Sequence, residues 1–369
     1  MRLLPWVVLA AALGAVACED TKPPSDSAKS DGGKVDKYAS ADPKLEQAIQ
    51  AAASASAAAN AGPPPTGIFD VTTADQKHPK GAPTKVDMVS DGSDPKVSLA
   101  ASADASPDAA RATSYGPAVM QLAIEQGRGM GIAMDLGMVI TPPKKDESPD
   151  WLVANVVRAS PSKQMGQIPP GLDKDLAGLQ SSELRLKVTA DGRESDILVQ
   201  LGKTAKPELE RLAQTAAEAL VFATIPAPPK PVGVGAQWIA ETRMPLSQVD
   251  AIAYRAYRVK SIDGNRIHLT LEVKAYAAGK ELNIAGIPKG ATFEQFEAAA
   301  EGDLELVRGE TLARKSDVQQ RIVMVFAGPG GIQPPQQPGG QPGNMMSAQI
   351  GSQATFVRGD DLKAAMKQP

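Results

Sequence analysis

The run Met130-Gly131-Ile132-Ala133-Met134-Asp135-Leu136-Gly137-Met138-Val139-Ile140 alternates strictly. Met130, Ile132, Met134, Leu136, Met138 and Ile140 share one face, while Gly131, Ala133, Asp135, Gly137 and Val139 share the other. A period of two is that of an extended strand with one face buried; a helix would repeat its apolar residues every three or four positions. The small residues on the second face suit close packing or a bend.

Working outward, residues 118–126 alternate in the same way through Met120, Leu122 and Ile124, and Gly127-Arg128-Gly129 joins the two runs as a hairpin. Three Asp-Gly pairs mark further turns, because Asp-Gly tolerates the positive φ that tight hairpins demand. Asp91-Gly92 would link residues 85–88 to a return through Val97 and Leu99. Asp191-Gly192 would link 184–188 to 197–201, and Asp263-Gly264 would link 257–260 to 267–273. Further strands are expected at 151–158, 236–243, 302–312, 319–327 and 347–357.

Two helices break the pattern. Residues 206–222 carry Pro207 in the first turn and a stripe of Leu209, Leu212, Ala213, Ala216 and Leu220. Residues 291–301 pair a Thr292 cap with Phe293 and Phe296 on one side. The expected fold is therefore mainly β with two helices: a curved antiparallel sheet or half-barrel, of about ten strands, with the helices packed on it.

The N-terminus carries a different signal. Arg2 precedes an apolar run from Leu3 to Ala17, and Cys18 follows with Glu19 and Asp20 behind it. A charged start, a short apolar stretch and small residues before a cut site describe an export signal, and the run is too short to span a bilayer. The small residues Ala15-Val16-Ala17 stand directly before the single cysteine of the chain. In this the segment resembles the precursor of a bacterial lipoprotein. The resemblance implies removal of residues 1–17, lipidation of Cys18 and attachment to the inner or outer membrane of the cell envelope. Two departures are Ala15, where leucine is commonest, and a basic region made of Arg2 alone. Ordinary secretion after the same Ala-x-Ala is the alternative.

Residues 18–66 read as a lipidated N-terminus and a disordered Ala/Pro/Ser-rich tether, with 67–369 as one β-rich domain and 328–343 as a disordered Pro/Gly/Gln loop. Asp42-Pro43 starts a helical stretch, but Leu45 and Ile49 are its only large apolar residues, so a spacer is the first reading and a docking helix the second.

Composition narrows the chemistry. The 369 residues hold 39 Lys+Arg against 42 Asp+Glu, a net charge of −3, which does not suit a general nucleic-acid binder. One Cys and two His leave little for a Cys-rich metal site or a His-based triad. Gly127-Arg128-Gly129-Met130-Gly131 precedes a strand, not the helix that a phosphate loop needs. Ser160-Pro161-Ser162-Lys163 has the spacing of a serine acyl-transferase without its helix. His78 and His268 read as surface residues. Neither catalytic residues nor metal ligands nor a cofactor are assigned, and no enzyme activity is expected.

The methionine row is the one candidate ligand surface. If the sheet encloses a cavity, Met120, Met130, Ile132, Met134, Leu136 and Met138 would line it and hold a lipid or acyl chain. Otherwise they are the core beneath helix 206–222. The layout is similar to periplasmic lipoprotein-carrier half-barrels, in which helices plug the concave side. The run from Pro231 through Gly233 and Gly235 to Trp238 also resembles uncharacterised bacterial lipoproteins. Two functions follow as expectations: a non-enzymatic, membrane-anchored scaffold or partner-binding protein, or a carrier of an apolar ligand on the concave face.

Overall fold

The computed structural model describes residues 43–56, 64–99, 115–126, 130–143, 149–163, 165, 167–281, 290–328, 345–359 and 361–362. The stretch read as an export signal, Cys18 and residues 329–344 lie outside them. Twelve strands form a single sheet in which every neighbouring pair is antiparallel. They are β1 (Lys85–Ser90), β2 (Gly116–Gln126), β3 (Met130–Thr141), β4 (Asp150–Pro161), β5 (Glu183–Val188), β6 (Glu194–Gln200), β7 (Gln237–Leu246), β8 (Val249–Asp263), β9 (Arg266–Ala277), β10 (Thr292–Val307), β11 (Lys315–Ala327) and β12 (Met345–Arg358).

The order across the sheet is β1-β7-β8-β9-β10-β11-β12-β2-β3-β4-β5-β6. Two meanders, β2 to β6 and β7 to β12, thus join in the middle, where Arg358 pairs with Ala118 and Ile350 with Gln126. β1 sits on the far edge beside β7. The sheet does not close into a barrel, yet its two edges meet: the N–H of Thr84, just before β1, donates to the carbonyl of Glu194 at the start of β6, at 2.7 Å. Barrel-like curvature is what brings first and last strands together.

Four helices pack on this sheet: α1 (Pro43–Ser56), α2 (Val71–Lys77), α3 (Leu172–Ala177) and α4 (Glu210–Ala223), the last preceded by a 3-10 turn at Pro207–Leu209. Every residue of α4 from Thr215 to Ala223 is buried. A helix buried on all sides lies inside a fold rather than on it, and five alanines keep this one thin enough to fit. It contacts β5, β6, β7, β11 and β12, so it fills the concave side.

The β3 alternation appears as read: Met134, Leu136, Met138 and Ile140 are buried against β2 residues Met120 and Leu122. The Asp191-Gly192 and Asp263-Gly264 hairpins form as β5–β6 and β8–β9. The Asp91-Gly92 hairpin does not. β1 pairs with β7 instead, and the chain after Gly92 lies across the Val232–Val234 segment, where Val97 bridges Val232.

Residues 291–301 are not a helix but the first half of β10. Phe293 and Phe296, spaced by three, both point inward because a bulge between Phe293 and Gln295 inserts one extra residue. From Phe296 onward the register with β11 is unbroken, and that pairing outweighs local helix propensity.

The stretch read as tether also changes. α1 docks on the outer face of β7 and β8, and Leu45, Ile49 and Ala53 are at most 1% exposed. They pack with Phe69, Ile239, Ile252 and Tyr254, a stripe spaced by four completed by an alanine. β8 is therefore covered on both faces, with Ile252, Tyr254 and Ala256 toward α1 and Ala251, Ala253 and Tyr257 toward α4.

Candidate functional site

The site lies at the seam between the two sheet edges. Gly192 turns β5 into β6 at φ +81, and a register shift at Val188 leaves two consecutive β6 residues, Glu194 and Ser195, buried. Across the seam, Arg255 of β8 reaches inward from the same face as Tyr257 and is 0% exposed.

Arg255 grips Glu194 with two hydrogen bonds, Nη1 to Oε1 at 3.0 Å and Nη2 to Oε2 at 2.6 Å. Nη2 also donates to Thr242 Oγ1 at 2.9 Å, and Nη1 to the Val221 carbonyl at 3.0 Å, in the last turn of α4. Thr84 Oγ1 donates to Glu194 Oε2 at 2.7 Å and lies 2.8 Å from Thr242 Oγ1. Since the Thr84 proton goes to the carboxylate, Thr242 donates to Thr84, and the four side chains form one directional chain. Burial disfavours the charge on Arg255, but the Glu194 carboxylate outweighs it and holds the guanidinium above its ordinary range. A cation here also complements the negative end of α4.

A cavity of about 1120 Å³ opens over this floor. Its walls come from the Ile68–Val71 segment, β6, the β7–β8 turn and the Ala278–Glu281 segment that follows β9. The turn has Ser247 and Gln248 at φ 47 and 71, and Glu218 of α4 secures it by accepting the Ser247 N–H at 2.9 Å. Burial pushes the Glu218 carboxyl up to about 8, against the opposing pull of the Ser247 N–H, the Gln214 amide and the Arg211 charge. On the outer wall, Arg243 holds Asp250 through two bonds of 2.9 and 2.8 Å and Asp75 through one of 2.6 Å, which pins α2 to the sheet.

None of the methionine-row residues lines this cavity. Met120, Met134, Leu136 and Met138 are at most 1% exposed and belong to the main core, with Ile132 partly buried against it. Met130 begins β3, and its side chain is outside the described set. Cys18 likewise lies outside the described residues. His268 is half-buried with its ring 3.7 Å from Asp263, whereas His78, read as a surface residue, is buried against Tyr254 with its ring 3.9 Å from Glu241. Burial, then the charges of Lys85, Arg243 and Lys77, lower the His78 pKa to about 4. Among the described residues no group of His, Cys, Asp and Glu is arranged to hold a metal ion, and no helix is long and apolar enough to cross a membrane.

The seam network was hard to see in advance. Glu194 and Thr242 sit in ordinary strand contexts. Arg255 and Glu218 carry the better signal, each a lone charge inside an apolar run, Ala251–Tyr257 and Ala216–Phe222. Against known proteins, the chain matches no family model and no curated relative.

Proposed function

We propose that the chain is a membrane-anchored lipoprotein of the cell envelope, non-enzymatic, whose half-barrel faces the periplasm or the cell surface as a scaffold or partner-binding module. The anchor reading rests on Arg2, the Leu3–Ala17 run and the placement of the only cysteine at position 18. Two or more acyl chains give stable attachment where one gives only marginal binding.

The observation that carries the scaffold reading is the packing of α4. It fills the concave side, and Met120, Met134, Leu136 and Met138 are sealed within the core, so among the described residues these four face no acyl-sized trough along β2 and β3. The seam charges favour the same view, because Arg255 and Glu194 bind each other and Thr242 rather than facing a substrate. The carrier reading keeps the same anchor but needs α4 to move.

Native mass spectrometry of the full chain purified from the envelope separates the two. A scaffold carries the lipid covalently bound at Cys18 and no other lipid in stoichiometric amount. A stoichiometric, non-covalent lipid that depends on the β2–β3 face would replace the scaffold by a carrier.

A further inference from the structure

We infer that the seam cavity is a binding site for a small amphiphilic cation, an apolar body carrying a protonated amine. This goes beyond the scaffold reading and does not depend on the lipid anchor. Three observations support it.

The first is size and lining. About 1120 Å³ is ample for a small organic ligand, and Ile68, Phe69, Val221, Met244 and Ala278 give the walls an apolar portion. Val71, 54% exposed at the same wall and backed by these buried residues, offers apolar surface that suits the body of the ligand rather than a bare ion.

The second is Ser195. Its side chain lines the cavity, the residue is 7% exposed, and its hydroxyl oxygen is buried with no hydrogen-bond partner. A buried hydroxyl left unsatisfied costs free energy, and a ligand amine that donates to it removes that cost.

The third is charge. Six carboxylates line the cavity against three cations. Two of the three lining cations are already held: Arg243 by Asp75 and Asp250, and Lys80 by Asp250 at 3.1 Å. Arg255, behind the wall, is matched by Glu194. Asp196 meets Lys187 only loosely, at 3.9 Å, and the exposed rim carboxylates Asp70, Asp196 and Glu281 outnumber the lining Lys280, which leaves the opening net negative. A negative rim over an apolar wall attracts an organic cation and repels a fatty-acid carboxylate.

The test is a calorimetric titration of the full mature chain with octylamine, octanoate and octan-1-ol, at low and at moderate salt. Octylamine should bind one saturable site at least tenfold more tightly than octanoate, and the margin should shrink as salt rises. The exposed pair Asp196→Asn and Glu281→Gln should weaken the amine at least threefold with no change in thermal stability. Methyl NMR should shift Met244 on titration and leave Met134 unmoved. Equal binding of octanoate, absence of saturable amine binding, or perturbation centred on Met134 would each overturn the assignment.

Discussion

Arg255 on β8 and Glu194 on β6 form a bidentate ion pair, at 3.0 and 2.6 Å, across the seam where the two edges of the sheet approach each other. Their exposures are 0% and 2% for the side chains, so each charge is balanced chiefly by the other rather than by bulk solvent. The pair ties three things together: the first strand region through Thr84, the last strand through Glu194, and the C-terminus of α4 through the Val221 carbonyl.

Removing one partner strands the other charge in the core. Arg255→Met or Glu194→Gln should each cost about 3–5 kcal/mol in urea unfolding. The double variant Arg255→Met with Glu194→Leu should recover much of that loss, since no unpaired charge then remains. Strictly additive losses in this double-mutant cycle would mean that the pair is not coupled.

Glu218 makes stability fall as the solution becomes more basic. Its folded pKa of about 8 exceeds the ordinary 4.5, so the folded state keeps a proton that the unfolded chain has released. Between those two values the wild type should lose up to about 1.4 kcal/mol per pH unit from this group. Glu218→Gln keeps the acceptor for the Ser247 N–H, so its stability curve should be flatter and lie above the wild type at pH 8. Parallel curves for the two proteins would show that Glu218 ionises normally.

His78 acts on the other side of neutrality. Its folded pKa of about 4 lies below the ordinary 6.5, so protonation favours the unfolded chain and stability is lost as pH falls from 6.5 toward 4. The difference between wild type and His78→Gln should widen in the variant's favour across that window. NMR should find the His78 imidazole still neutral at pH 5.5.

Much of the sheet is legible because alternation is a property of neighbours in sequence. β3, β2 and the hairpins at Asp191-Gly192 and Asp263-Gly264 need nothing else. The errors have particular causes. The bulge at Phe293–Gln295 put two phenylalanines three apart on one face and so imitated a helix. The partner of β1 lies more than a hundred residues away, on β7, beyond the reach of any local turn signal. Leu45, Ile49 and Ala53 look too sparse for a core until the outer face of β8 supplies Ile252 and Tyr254. The seam network assembles from β6, β7, β8 and the residue before β1, and no short pattern joins them.

The Pro231–Trp238 run illustrates the same limit. Trp238 stacks on Tyr257 at 5.2 Å and donates its indole N–H to the Pro226 carbonyl at 3.1 Å. A Cβ at Gly233 would sit 1.6 Å from the Ser93 carbonyl oxygen, so the glycine is required by close backbone approach. Gly233→Ala should therefore cost about 3 kcal/mol or more in equilibrium unfolding. At Gly309, φ is +85 but no atom lies within 4 Å of the added Cβ, and Gly309→Ala should cost only about 1–2 kcal/mol. Equal losses at the two sites would remove the steric account of this run.

The anchor is the central claim about what the molecule does, and the mature N-terminus reports on it most directly. Protein purified from envelope membranes can be digested and its N-terminal peptide weighed. The account predicts a peptide that begins at Cys18 and carries the mass of a diacylglyceryl group and an acyl chain, and a Cys18→Ser variant that is no longer retained in the membrane. A peptide that begins at an unmodified Cys18 would contradict it, as would one that keeps residues 1–17.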